Sequence, residues 1–181
     1  MHHTVRGRRD VLKVAGAIAM GTLFSAPKAI ASRPPDRALT LYSTHTGEHV
    51  VVEYCAGGGY QLDALQTVNR LLRDHHTDQV HAIDPRLLDQ LFVLRRQLGT
   101  RAPYHVVCGY RSPETNAREH RLRRGVATNS LHVEGRAVDV FLPDRDLEQL
   151  RTAALALGAG GVGYYPRSGF VHLDTGAART W

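Results

Sequence analysis

The sequence predicts an α+β domain: a small, mainly antiparallel sheet packed by helices and preceded by a cleavable export segment. Three observations lead there. Helical periodicity comes in separate blocks and does not alternate regularly with strands. Short β-branched and aromatic runs recur between turn residues. The first 31 residues differ in composition from the rest. The 181 residues suit one ordinary domain and a short extra segment. An apolar fraction of 43% is enough to bury a core and excludes wholesale disorder. After residue 31 no stretch approaches the roughly 20 apolar residues of a membrane span.

At the N-terminus, Arg8-Arg9-Asp10-Val11-Leu12-Lys13 precedes a Gly/Ala-rich apolar stretch from Val14 to Phe24, and Ala29-Ile30-Ala31 fits a small-residue cleavage site. Basic, apolar and small-residue regions in this order describe a bacterial export signal, and the Arg pair resembles the twin-arginine type. An uncleaved anchor is the other reading. The expected organisation is a signal over 1–31 and a domain over 32–181 that works in the periplasm, without permanent membrane insertion once the signal is cut. That compartment is oxidising, so Cys55 and Cys108 can pair, although buried free thiols fit equally well.

From Ser32 to Arg37 the chain is a Pro-rich lead-in. Residues 39–54 read as a hairpin, with Leu39-Thr40-Leu41-Tyr42 alternating, Thr46-Gly47-Glu48 turning and Val50 to Tyr54 returning. Gly57-Gly58-Gly59 reads as a flexible break. Leu62, Leu65, Val68, Leu71 and Leu72 give helical spacing over 61–75. His75-His76 would then close that helix, where a cation is favoured. Asp84-Pro85 starts a second helix, with a carboxylate cap and a Pro where no amide partner is needed; its apolar face runs from Leu87 to Leu98, and Gly99 stops it. Tyr104 to Cys108 is a short buried strand, 109–113 a loop, and a polar helix follows to about Arg124. A strand over 136–141, a helix from Leu147 to Leu157 ended by Gly158, and strands around 162–165 and 170–173 complete the domain.

Charge and side-chain chemistry narrow the function. Setting aside the five basic residues and one acid of residues 1–31 leaves 18 basic and 16 acidic residues, a net of +2. That lacks the strongly basic face of a nucleic-acid binder, so no nucleic-acid partner is expected. His132 lies at a loop end, Asp139 inside an apolar strand between Val138 and Val140, and His172 in the apolar run Phe170 to Leu173. A carboxylate turned inward from such a strand needs a partner. Two His and one Asp from separate segments suit a catalytic zinc, which takes three protein ligands and leaves a fourth position for water. A buried His–Asp hydrogen bond without metal is the alternative.

The pattern Ser-x-His-x-x-Gly-x-Ala-x-Asp from Ser130 to Asp139 resembles the first metal motif of the lysostaphin, D-Ala-D-Ala peptidase and hedgehog-type zinc fold. Cys108-Gly109-Tyr110-Arg111-Ser112-Pro113 resembles the upstream Gly-Tyr-Arg-Ser loop of its peptidase members. Ala159-Gly160-Gly161-Val162-Gly163-Tyr164-Tyr165-Pro166-Arg167-Ser168, then Phe170-Val171-His172-Leu173-Asp174-Thr175-Gly176 and Trp181, resemble the MepK (YcbK) branch of murein endopeptidases. The resemblance covers nearly the whole chain. It implies one zinc on His132, Asp139 and His172, peptidoglycan as substrate and a cut at meso-diaminopimelate cross-links. It places Arg111 near the substrate carbonyl or carboxylate. The rival readings are a zinc-containing wall-binding module and a carboxypeptidase trimming terminal D-Ala. Many members of this fold keep a Glu three residues before the last ligand or a His two before it; here those positions hold Gly169 and Phe170. Asp174 falls on the same strand face as His172 and is either the proton acceptor or a support for that ligand, with Glu114 and Glu134 as other candidates for the base.

Overall fold

The structure, a computed structural model, describes residues 35–122 and 127–181. The expected signal at 1–31 lies outside them. Strands β1 (Arg37–Ser43) and β2 (His49–Ala56) form the expected hairpin, extended by two residues at each end. The glycine run after it is not a flexible break. Gly57 and Gly58 have φ of 69° and 81°, a conformation that costs glycine little, and they turn the chain into β3 (Gly59–Tyr60), which pairs back onto β2.

Helix α1 runs Leu62–Leu71 and ends four residues before its apolar spacing suggests. The chain leaves the helix because tertiary partners take its polar groups: the Leu72 carbonyl accepts from Tyr110 N at 2.7 Å, and the Asp74 carboxylate accepts from Ser112 N. Helix α2 (Pro85–Gln97) starts at Asp84, whose side chain accepts from Arg86 N at 3.0 Å. It buries Leu87, Leu88, Leu91 and Leu94, each worth about 1.5–3 kcal/mol relative to exposure. Strand β4 (Tyr104–Cys108), helix α3 (Pro113–Leu122), strand β5 (Ala137–Phe141) and helix α4 (Leu147–Leu157) follow, then β6 (Gly161–Tyr165), β7 (Phe170–Asp174) and β8 (Arg179–Thr180).

Among the described residues the strands form one eight-stranded sheet in the order β3-β2-β1-β4-β5-β7-β6-β8. It is larger than expected, and mixed: β1 pairs parallel with β4, and β6 with β8, while the other pairs are antiparallel. The parallel pairs are non-local and carry no turn signal, so the chain's local pattern does not announce them. Alternation divides the strands' residues. Leu39, Leu41, Tyr104, Val106, Val138, Val140, Val171 and Leu173 join the core with the leucines of α2 and with Val68 and Leu150 of α1 and α4. Asp139, His172 and Asp174 therefore project from the other face. No helix of the described residues is long and apolar enough to cross a membrane.

Candidate metal centre and cleft

His132 sits on a 3₁₀ turn, Leu131–Glu134, capped at its start by Ser130, whose hydroxyl accepts from His132 N at 3.4 Å. Gly135 ends the turn at φ 66°, and the Ala82 carbonyl occupies the space a Cβ would need. The Gly of the motif is thus a steric requirement. The turn is pinned to the start of α2, because Asp84 N donates to the Gly135 carbonyl at 2.9 Å. Asp139 and His172 face each other in the β5–β7 register.

The three predicted ligands meet. Asp139 Oδ1 lies 2.8 Å from His172 Nδ1 and 3.3 Å from His132 Nε2, and the two ring nitrogens are 3.2 Å apart. The remaining ring nitrogens fix the tautomers. His132 Nδ1 faces the Gly109 carbonyl at 2.7 Å, and His172 Nε2 faces Asp174 Oδ2 at 3.2 Å. Both oxygens only accept, so in the neutral rings those nitrogens carry the protons. His132 Nε2 and His172 Nδ1 are left as lone pairs aimed at a carboxylate oxygen. Three acceptors converging on one point need a cation. Tetrahedral zinc, with ligand distances of about 2.0–2.1 Å, separates its ligand atoms by about 3.3 Å, so the donor set fits it. Burial opposes charge on His132, but the Asp139 carboxylate outweighs it and holds the His132 pKa well above its ordinary value. Burial likewise pushes Asp139 up, and His132 and His172 bring it well below the carboxylate range.

These residues line a cleft of about 770 Å³, together with Arg111. Arg111 reaches Asn116 Oδ1 at 3.3 Å and Cys108 Sγ at 3.4 Å, and its backbone N donates to the His132 carbonyl at 3.2 Å. Asp174 is fully buried. It accepts from His172, from Arg179 at 2.7 Å, from Gly161 N at 3.0 Å and from Gly176 N at 2.8 Å. Neither Glu114 nor Glu134 lines the cleft; Glu134 pairs with Arg136 at 2.9 Å. Glu119 does line it.

Sequence reasoning misses several cleft residues. Both cysteines are free. A bulge between Val106 and Cys108 sets Cys108 opposite Asp139, and its sulfur lies within 4.8 Å of donor atoms of His132 and Asp139. His75 and His76 do not close a helix, so the expected cation at a helix end is not there. His75 stacks on His45 at 3.8 Å and 5° in the cleft wall; burial, with His45 and His76 adding to it, lowers its pKa to about 4.

Asp74, 1% exposed, anchors the Arg111 loop by accepting from Ser112 N at 2.9 Å and His76 N at 2.8 Å. Burial raises its pKa, but the bonds from Ser112, Thr115 and the two amides outweigh that and hold it well below the ordinary carboxylate value. Asp74→Asn is expected to cost about 1–3 kcal/mol of stability in urea unfolding at pH 7. A depressed carboxyl pKa stabilises above its unfolded value near 3.9 and loses that contribution as pH falls through the folded one. The gap between variant and wild type should therefore narrow as pH drops from about 5 toward 2. A gap that does not change with pH would remove Asp74 from this role.

Residues 31–181 match the family described as Peptidoglycan L,D-endopeptidase MepK. The chain belongs to the MepK family. It is 44% identical over 176 residues to Peptidoglycan L,D-endopeptidase MepK of Escherichia coli strain K12, covering 96% of each chain. It is 39% identical over 183 residues to Probable peptidoglycan L,D-endopeptidase MepK of Haemophilus influenzae, covering 100% of this chain and 98% of that one. The MepK match spans every element that builds the cleft, from the hairpin to β8.

Proposed function

We propose that this chain is an exported zinc metallopeptidase that hydrolyses the peptide cross-links of peptidoglycan, at bonds between meso-diaminopimelate residues. The observation that carries the reading is the convergence of His132 Nε2, Asp139 Oδ1 and His172 Nδ1 in an open cleft of a MepK-family chain. A bond between two meso-diaminopimelate residues joins an L centre to a D centre, the linkage that the name L,D-endopeptidase describes. A cleft of about 770 Å³ suits an extended peptide better than one terminal residue. On this reading residues 1–31 are a twin-arginine-type signal and residues 32–181 the periplasmic catalytic domain.

His132, Asp139 and His172 would hold the zinc, which when bound supplies Lewis-acid polarisation of a carbonyl and a water nucleophile near neutral pH. The protein's own groups orient the rest. The Gly109 carbonyl and the Asp174 carboxylate hold the two imidazoles in the ligating tautomers. Arg111 presents a planar fork to the substrate carbonyl or carboxylate, braced by Asn116.

The test is incubation of zinc-loaded protein with purified sacculi and analysis of the released muropeptides. Conversion of cross-linked dimers to monomers is expected. Release of D-Ala alone would make the protein a carboxypeptidase, and binding without release would make it a wall-binding module; either overturns the reading. Arg111→Lys is expected to keep its zinc and to lower kcat/KM by about tenfold, because an ammonium cannot span Asn116 and the substrate together. Wild-type kcat/KM in that variant would reduce Arg111 to a loop residue.

A further inference from the structure

Trp181 stands at the lip of the cleft, where neither the donor cluster nor Arg111 requires it. It is the only tryptophan of the chain. It is 48% exposed, and of the large hydrophobic side chains that the described residues expose it alone lines the cleft. The ring is nevertheless fixed. Its Nε1 donates to the Tyr165 hydroxyl at 2.7 Å, and the Arg179 guanidinium sits 5.0 Å from the ring centroid. Its backbone pairs with β6 on both sides, Trp181 N donating to the Val162 carbonyl at 3.3 Å and Tyr164 N to the Trp181 carbonyl at 3.0 Å.

The sheet beneath is cut back to make room. Gly163 stands opposite His172 in the β6–β7 register, and a Cβ there would come within 2.8 Å of the indole. The indole lies 5.2 Å from the His172 ring, tilted by 50°. Tyr165 and Phe170, stacked at 4.8 Å, continue the same wall. An exposed aromatic that is already ordered gives a ligand apolar contact without a further entropy loss, which is what a recognition surface needs.

We infer that Trp181 is a substrate-binding residue: its open surface takes the aliphatic stem of the diamino-acid residue beside the scissile bond, and Tyr165 and Phe170 extend that surface along the peptide. This rests on the peptidoglycan reading above. The stem peptide offers carboxylates, amides and a methylene chain. Arg111 suits the first two, and the methylenes need an apolar partner, which the cleft supplies in this aromatic wall. As the only tryptophan of the chain, placed in the cleft wall, Trp181 also reports occupancy through its indole emission.

The experiment is steady-state kinetics of the zinc-loaded protein on a purified cross-linked muropeptide dimer, with zinc content and thermal melting measured alongside. Trp181→Ala should raise KM by about tenfold with kcat within about threefold, and Trp181→Phe should bring KM back to within about threefold of wild type. Rapid mixing of wild type with the dimer should change the indole emission before the first turnover completes. Unchanged KM in Trp181→Ala overturns the inference. So does a wild type whose emission does not respond to the dimer, a readout that stands even if the Ala variant fails to fold. Loss of zinc in both variants with an unresponsive emission would make Trp181 a prop for His172 only. A wild type that cleaves no muropeptide overturns the functional reading, and this inference with it; an active wild type separates the two.

Discussion

His132→Ala and His172→Ala are each expected to lose bound zinc and peptidase activity together while the domain stays folded. Each change removes one of three donors that lie within 3.3 Å of one another, and three protein ligands are the minimum seen at catalytic zinc. Turnover should fall by about 10⁴-fold or more, since the metal is what brings water from a pKa of 15.7 down to near 7. The fold should survive because His132 sits on the Leu131–Glu134 turn and His172 projects from the sheet face opposite α1, α2 and α4, so neither belongs to the core built on Leu39, Leu41, Val138, Val140, Val171 and Leu173. Asp139 keeps one imidazole in either variant, so its buried charge is not left without a partner. Metal analysis after chelation and zinc reloading, muropeptide release and circular dichroism decide the matter. Full activity in either variant, measured after zinc-free dialysis, would sink the ligand assignment.

What the sequence reveals about this fold follows the range of the forces involved. Helix α4 is legible to the residue because its apolar face runs from Leu147 to Leu157 and Gly158, at φ 63°, closes it. These are local signals. The proposed ligands Asp139 and His172 stand out in the sequence because an Asp and a His inside runs of Val and Leu are costly unless something satisfies them. Asp74, His45 and His75 are not legible. Asp74 reads as one more polar residue at a helix end, and only the fold brings the Ser112 and His76 amides to it. Cys108 reaches the site face through a one-residue bulge, and no pattern in Tyr104–Cys108 marks where a strand slips register. Strand β8 is two residues long, below the length at which alternation can be read. That hides Trp181's place in the cleft, although the residue itself stands out in the sequence.

Asp174→Asn is the variant that separates a supporting carboxylate from a catalytic base. The side chain is fully buried, and both oxygens are already engaged by His172, Arg179 and the amides of Gly161 and Gly176. Burial raises its pKa, yet those bonds hold it well below the carboxylate range. An acceptor of protons needs a free lone pair facing substrate and a pKa nearer the working pH; this carboxylate has its lone pairs engaged by His172 Nε2, Arg179 and two amides, which leaves His172 Nδ1 for the proposed metal. The expected result is a fall in zinc affinity of about 10- to 100-fold, with saturating zinc restoring most of the rate. Stability should drop by about 2–3 kcal/mol as a buried, charge-assisted network loses its anion. Competition with a chelator of known affinity measures the first effect, and urea unfolding the second. If Asp174 were the base, the variant would bind zinc as wild type does, and turnover would stay down by about 10²–10⁴ at any zinc concentration. Rescue by zinc decides between the two roles. A variant with unchanged zinc affinity and unchanged rate would exclude both and move the search to Glu119 and His75, which already face the cleft.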